Sequence, residues 1–324
     1  MHPGFELAAV WERSRKIAAA TYPEIRSYDT LEALLADDSI ELVVVNTPNY
    51  THYEYAKAAL LAGKQVLVEK PFVTTVAEGE ELCAIAEERG LVLAVYHNRR
   101  WDSDLLLVKD VVDAGLLGPV VEAAFHFDRF KAELNTKQHK ETPGPGTGIL
   151  FDLGSHLIDS ALHVFGYPQA VYADLRILRP GSEVDDDFEL WLYYPGLRVR
   201  LHAGYYVREA PPSFQVFGRT GALLKPRGDV QERQLLEGML PDDPDFGYEE
   251  PGTAALLHRD DKGVPERRHV SAWRGDYMAF FEGLHSALRH NGAAPVSGRE
   301  GLAVIRVIEA AFRSSEIRAA VSLE

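Results

Sequence analysis

Short apolar runs alternate with amphipathic stretches over the first hundred residues. Residues 5–10 read as a strand, and 14–22 as a helix with Ser14 as its N-cap. Residues 30–36 form a second short helix opened by Thr30. Residues 42–45 are a β-branched run without polar alternation, the pattern of a strand buried on both faces. Residues 50–62 read as a helix stopped at Gly63, and 65–68 as another buried strand. Residues 75–89 read as a helix stopped at Gly90, and 92–95 as the next strand. Strands separated by helices of this length predict right-handed βαβ crossovers and a parallel sheet.

Beyond residue 100 the pattern changes. Residues 104–114 are helical and 120–127 form a longer strand. Residues 131–148 are polar and rich in Gly and Pro, a loop, and 149–165 are helical again. From 170 to 224 come long strands with turn signals at Tyr194-Pro195-Gly196 and Gly218-Arg219-Thr220-Gly221, which predict a large, mostly antiparallel sheet. Residues 226–252 are irregular and acidic, 254–270 read as one more hairpin, and helices at 276–291 and 298–315 close the chain. The strands at 187–194 and 197–205 carry aromatics on both phases, with Trp191, Tyr193, Tyr194, Tyr205 and Tyr206. A sheet face without helices over it needs another cover, either a second copy or the segment 226–252. The expected division is 1–98 for the parallel α/β part and 99–324 for the α+β part, with the last helices packing back towards the first.

The length of 324 residues suits two domains. Lys and Arg total 34 against 49 for Asp and Glu, a formal charge of −15. A chain this acidic, without a local basic patch, is a poor nucleic-acid binder. Polar residues break every long apolar stretch, and no basic region precedes an apolar run near the start, so neither a membrane span nor a secretory leader is expected. Cys83 is the single cysteine, which excludes an intrachain disulfide. The expectation is a cytoplasmic protein.

Four constellations carry candidate chemistry. Asn46-Thr47-Pro48-Asn49, followed by His52, stands where a buried strand runs into a helix, and ligands of doubly wound sheets bind at the carboxyl ends of strands. The alternative is an ordinary turn. Val68-Glu69-Lys70-Pro71 places a carboxylate and an ammonium at the next strand end; the alternative is a surface ion pair worth little. Asp152 and His156 are four apart on a helix, where a carboxylate can orient an imidazole for acid–base work; the alternative is a helix cap and a satisfied histidine. His156, Asp159 and His163 also share a face, but nothing nearby supplies further metal ligands, so no metal is assigned. Asn98 and Arg99 follow the strand at 92–95, where they would contact a nicotinamide ring or substrate, or hold a hinge through ion pairs.

The order of these motifs resembles the Gfo/Idh/MocA family of NAD(P)-dependent sugar and cyclitol dehydrogenases, which includes glucose–fructose oxidoreductase and inositol 2-dehydrogenase. The resemblance covers nearly the whole chain. It rests on Thr47-Pro48-Asn49-x-x-His52, Ala58-Ala59-Leu60-x-Ala62-Gly63-Lys64, Val68-Glu69-Lys70-Pro71, Asn98-Arg99-Arg100 and Asp152-x-x-x-His156-x-x-Asp159. It implies a Rossmann-type sheet followed by an α+β domain whose open sheet face forms a dimer or larger homo-oligomer. It also implies Lys70 and His156 flanking the substrate carbon, with Asp152 supporting the histidine. The implied substrate is a sugar, cyclitol or related polyol, and the cofactor is NAD or NADP.

The chain departs from the family at its start. No Gly-x-Gly-x-x-Gly turn precedes Phe5. The expectation is therefore a natural start about 25–30 residues upstream, one strand–turn–helix unit, whose strand would lie between the strands at 5–10 and 42–45; the alternative is a chain that dispenses with that unit and binds no dinucleotide. Glu12, after the first visible strand, leans towards NAD by accepting from the ribose hydroxyls, while Arg13 and Ser14 could hold a 2′-phosphate. Two further readings use the same residues: an NAD-dependent glycoside hydrolase working by transient oxidation, and a non-catalytic ligand-binding or assembly protein of this fold.

Overall fold

The computed structural model describes residues 2–12, 16–135 and 141–323. It divides into two compact units, Met1–Tyr96 with Phe281–Leu302, and His97–Phe280 with Ala303–Glu324.

The first unit is built of short parallel strands and helices. β1 (Ala9–Trp11) pairs in parallel with β2 (Arg26–Tyr28), and α1 (Ile17–Thr21) connects them. α2 (Leu31–Leu35) follows, its N-terminus capped by the Thr30 hydroxyl accepting from Ala33 N at 3.1 Å. β3 (Leu42–Val45), β4 (Gln65–Val68) and β5 (Leu93–Val95) make a separate parallel sheet with β4 central. α3 (His52–Leu61) and α4 (Val76–Arg89) are the crossovers. α4 is opened by a capping box between Thr75 and Glu78 and closed by Gly90 at φ 63°, a left-handed conformation that glycine adopts without strain. The second chain segment of the unit adds an antiparallel bridge from Ser297 to Ala94 of β5.

Two expectations change here. The first strand is shorter and later than residues 5–10, while Phe5 packs its ring edge-on to Phe281 and His285. Two-sided burial holds for β4, whose Val66, Leu67 and Val68 are buried, but Val44 of β3 is 56% exposed. Val44 points to a face of β3 that stays open, and β3 is also an edge strand with no ladder partner on its second side among the described residues.

The second unit holds a nine-stranded sheet. Its strands are β6 (Val120–His126), β7 (Ala170–Arg176), β8 (Asp187–Tyr194), β9 (Leu197–Gly204), β10 (Phe214–Gly218), β11 (Gly221–Lys225), β12 (Ala255–Asp261), β13 (Val264–Val270) and β14 (Val321–Ser322). They lie in the order β13-β12-β11-β10-β6-β9-β8-β7-β14, and neighbouring strands are antiparallel except β6 with β9. The helices are α5 (Ser103–Asp113), α6 (Ser155–Phe165) and α7 (Gln231–Leu236), the last inside the stretch expected to be irregular. The division between units falls within α8 (Tyr277–His290) and α9 (Gly298–Ile317).

Alternation sorts the sheet into two faces. Phe125, Phe188, Leu190, Leu192, Val199 and Leu201 are fully buried on one. The other carries Glu122, Glu189, Trp191, Tyr193, Arg198 and Arg200. There Arg198 pairs with Glu122 at 3.2 Å, Arg200 pairs with Glu189 at 2.8 Å, and both guanidiniums sit over the Trp191 ring. The segment 226–252 is bonded elsewhere: Asp229 accepts from Ser103 N, and Gln231 reaches Trp101 O and Tyr277 N.

The capping box generates a first prediction. Thr75→Ala removes the hydroxyl acceptor at the start of α4 and lowers stability by about 1 kcal/mol, read as a lower urea midpoint with an unchanged slope.

Candidate active site

In the first unit the candidate residues gather at the carboxyl ends of β3 and β4. After β3 the chain makes a 3-10 turn at Asn49–Thr51, where the Thr51 hydroxyl lies 2.8 Å from Thr47 Oγ1 and 2.7 Å from Pro48 O. His52 is fully buried at the start of α3. Its Nδ1 lies 2.8 Å from Pro71 O and its Nε2 2.9 Å from Thr47 O. The ring thus ties the turn after β3 to the turn after β4, and burial lowers its pKa. Asn46 and Pro48 are exposed, and Thr47, Asn49, Glu69 and Lys70 are half-buried. Glu69 accepts from Lys70 N at 3.1 Å, and burial raises its pKa. Tyr96 beside it is pushed up to about 12 by burial and by the Glu69 charge. Polar side chains at the carboxyl ends of adjacent parallel strands fit a nicotinamide dinucleotide, since that end of a doubly wound sheet faces its ligand.

Glu12 has another occupation. Its carboxylate accepts from the backbone N–H of Ile17, Ala18 and Ala19 at 3.0, 3.1 and 3.4 Å, so it caps α1. Arg13 and Ser14 lie outside the described residues.

In the second unit the candidate residues surround α6. The expected single helix over 149–165 begins differently: Leu150–Gly154 is a π-helical turn, and α6 proper starts at Ser155. Asp152 stands in the wide turn and His156 is the second residue of α6, so their spacing departs from simple i, i+4 geometry. Two contacts shape this entry. The Asp185 carboxylate accepts from Leu150 N at 2.8 Å, and its carbonyl accepts from Ile149 N at 2.8 Å. Gly148 at φ 93° lies so close that a Cβ there would stand 1.9 Å from Asp185 Oδ1. Burial raises the Asp185 pKa to about 6.

His156 is buried, and His97 packs edge-on to it with ring centroids 6.3 Å apart. Asp159, one turn further along α6, takes both Nε (3.0 Å) and Nη2 (2.7 Å) of Arg100, and His97 Nδ1 stands 3.9 Å from it. Burial works to raise the Asp159 pKa, but His97 and Arg100 outweigh it and hold it below the ordinary range. That carboxylate is therefore paired with an arginine. Asn98 is half-buried. Arg99 is held by Asp102 at 3.3 Å and Glu232 at 2.6 Å, the ion-paired arrangement.

Pattern reading did not single out the groups around Asp152. Tyr205 has its pKa raised by burial and by the Asp152 charge, against Arg129 and Arg179. The Arg179 guanidinium lies 4.4 Å over the Tyr205 ring and is fixed by Asp186 at 3.1 Å and Glu141 at 2.8 Å. Tyr205 showed in the sequence as one strand aromatic among several, and nothing local marks Arg129 or Arg179.

Residues 1–97 match a family described as "Oxidoreductase family, NAD-binding Rossmann fold", and residues 109–323 match "Oxidoreductase family, C-terminal alpha/beta domain", both of the GFO_IDH_MocA group. The chain is 37% identical over 306 residues to scyllo-inositol 2-dehydrogenase (NADP(+)) IolW of Bacillus subtilis (strain 168), covering 94% of this chain and 84% of that one. It is 36% identical over 321 residues to the uncharacterized oxidoreductase YdgJ of Escherichia coli (strain K12), covering 99% and 92%. The crystal structure of an oxidoreductase from Bacillus cereus aligns with a TM-score of 0.90 at 32% identity, covering 98% of this chain and 90% of that one.

Asp185 generates a pH prediction. Its folded pKa of about 6 exceeds its ordinary 3.8, so its contribution to stability is full below pH 3.8 and is lost as pH rises through about 6. Asp185→Asn keeps an acceptor for Leu150 N without the titrating charge. Urea midpoints measured from pH 4 to pH 7 should fall less steeply in the variant than in the parent.

Proposed function

The chain belongs to the Gfo/Idh/MocA oxidoreductase family, and we propose that it moves a hydride between a nicotinamide cofactor and a hydroxyl-bearing ring carbon of a cyclitol, sugar or related polyol. It is an oxidoreductase acting on CH–OH groups. The observation that carries the substrate reading is the polar group around the π turn. Asp152 and Arg129 both act on Tyr205, whose ring is braced by the ion-paired Arg179, and this carboxylate, guanidinium and phenol supply the donor and acceptor mixture that a polyhydroxylated ring requires. The 37% identity to a scyllo-inositol 2-dehydrogenase supports the same reading.

In this reading His156 takes the proton of the substrate hydroxyl during oxidation and returns it during reduction. Asp152 orients the imidazole and stabilises its charged form. Lys70 lends positive charge to the developing alkoxide. Tyr205, kept protonated by burial and by Asp152, donates to a neighbouring substrate hydroxyl. Asn46, Thr47, Asn49, Glu69 and Asn98 are assigned to the cofactor. The bound nicotinamide supplies the hydride acceptor or donor. We assign the preference to NADP(H), supported by the Glu12 carboxylate accepting from the α1 N-terminus and by the IolW relative being named for NADP(+). The ion-paired sheet face with Trp191 and Tyr193 is assigned to a homodimer contact. Light scattering should give twice the chain mass, and a monomer would remove that assignment.

His156→Asn and Lys70→Met should each lower kcat by about 10²–10⁴-fold for scyllo-inositol oxidation with NADP+, while NADPH affinity from fluorescence titration stays close to the parent's. Parental turnover in both variants would overturn the assignment. Saturable binding of NADH alone would overturn the cofactor preference.

A further inference from the structure

In the nine-stranded sheet the ends of β6 and β9 carry a second group of side chains, made of residues other than Lys70, Asp152 and His156. β6 ends at His126, and Asp128 follows two residues later on the same side of the extended chain. β6 and β9 run in parallel with His126 paired to His202, so the third side chain stands directly beside the first. Asp128 Oδ2 lies 3.1 Å from His126 Nδ1, and Asp128 Oδ1 lies 2.5 Å from His202 Nδ1. One ligand-type atom from each residue falls within 4.8 Å of the others. Side-chain exposures are 7% for His126, 2% for Asp128 and 13% for His202.

We propose that His126, Asp128 and His202 bind one divalent transition-metal ion of the zinc class. Two imidazoles and a carboxylate are the donor set of three-ligand zinc sites, which leave a fourth position for water or another ligand. Ligand atoms held about 2.0–2.2 Å from a tetrahedral ion stand about 3.4 Å apart, so small side-chain adjustments bring these three into range.

Two further features belong to a built site. The other ring nitrogen of His202, Nε2, faces Asp187 Oδ2 at 3.7 Å, and Asp187 is itself held by Arg176 at 2.6 Å. A carboxylate behind a histidine is the arrangement that fixes the orientation of a ligating ring. His126 and Asp128 also line a cavity of about 220 Å³, which gives an ion a way in. Of the three arginines lining that cavity, Arg227 is paired with Asp102 and Arg99 with Asp102 and Glu232, which leaves Arg129 as the charge an entering cation meets.

Without a metal, Asp128 serves as a shared acceptor for the two rings. Burial disfavours charge on His202, but hydrogen bonds to Asp128 and Asp187 outweigh it and hold its pKa up at about 9. An ion entering the site displaces that proton.

The test is a titration of the purified full chain with Zn²⁺ against a chromophoric chelator, repeated with Co²⁺ by visible absorption. One equivalent should bind, with Co²⁺ giving the visible bands of a four-coordinate site. His126→Ala and His202→Ala should abolish those bands. Asp187→Asn, which touches no ion, should weaken binding by about 10–100-fold. His202→Gln keeps a donor for Asp128 and should fold like the parent by circular dichroism, yet also lose the bands. His269→Ala, on β13, should leave binding unchanged. Parental stoichiometry and affinity in the His126→Ala, His202→Ala double variant, or no saturable binding by the parent, would overturn the proposal.

Discussion

Arg100 and Asp159 are 59 residues apart and both almost wholly buried, and their two-pronged contact ties the turn after β5 to α6. A guanidinium and a carboxylate of matching geometry hold two backbones at a fixed distance and a fixed rotation. Asp159 lies one helical turn beyond His156, so pinning Asp159 sets which way His156 looks. His97 enters the same arrangement, within reach of Asp159 and edge-on to His156. A pair this buried gains little net stability over an apolar replacement, but breaking one side leaves a stranded charge costing about 3–5 kcal/mol. Its effect here is on the orientation of one imidazole.

The other end of that helix is governed by backbone rather than charge. The π turn at Leu150–Gly154 widens the entry to α6, and Asp185 receives the N–H groups at its start. Gly148 passes too close to Asp185 for any side chain, and a Cβ on Gly154 would meet Leu150 Cδ1 at 2.6 Å. Two glycines and one buried carboxylate thus fix the wide turn that carries Asp152 into α6. Such π turns cost backbone regularity and recur at functional sites.

The nine-stranded sheet separates two kinds of physics on its two faces. One is a close-packed apolar layer. The other is a ladder of ion pairs braced on Trp191, ending in the two histidines and Asp128. Alternation puts every second residue of β6, β8 and β9 there, which is why a single-face reading of these strands was possible in outline but not in detail.

Wherever the deciding interaction lies between near neighbours in the chain, the sequence was sufficient. Thr30 caps its helix, Gly90 ends α4, and β3 and β4 have the predicted bounds, because caps, left-handed glycines and β-branched runs act within a few residues. The order of short motifs was likewise enough to recognise the family. Tertiary structure decided the rest. The exposure of Val44, the parallel pairing of β6 with β9, the burial of His52 between two turns and the bracing of Tyr205 by Arg179 all depend on partners that no local pattern names. A residue's type and spacing state what chemistry it can do, but burial and the identity of a distant counter-charge determine which of those chemistries it performs.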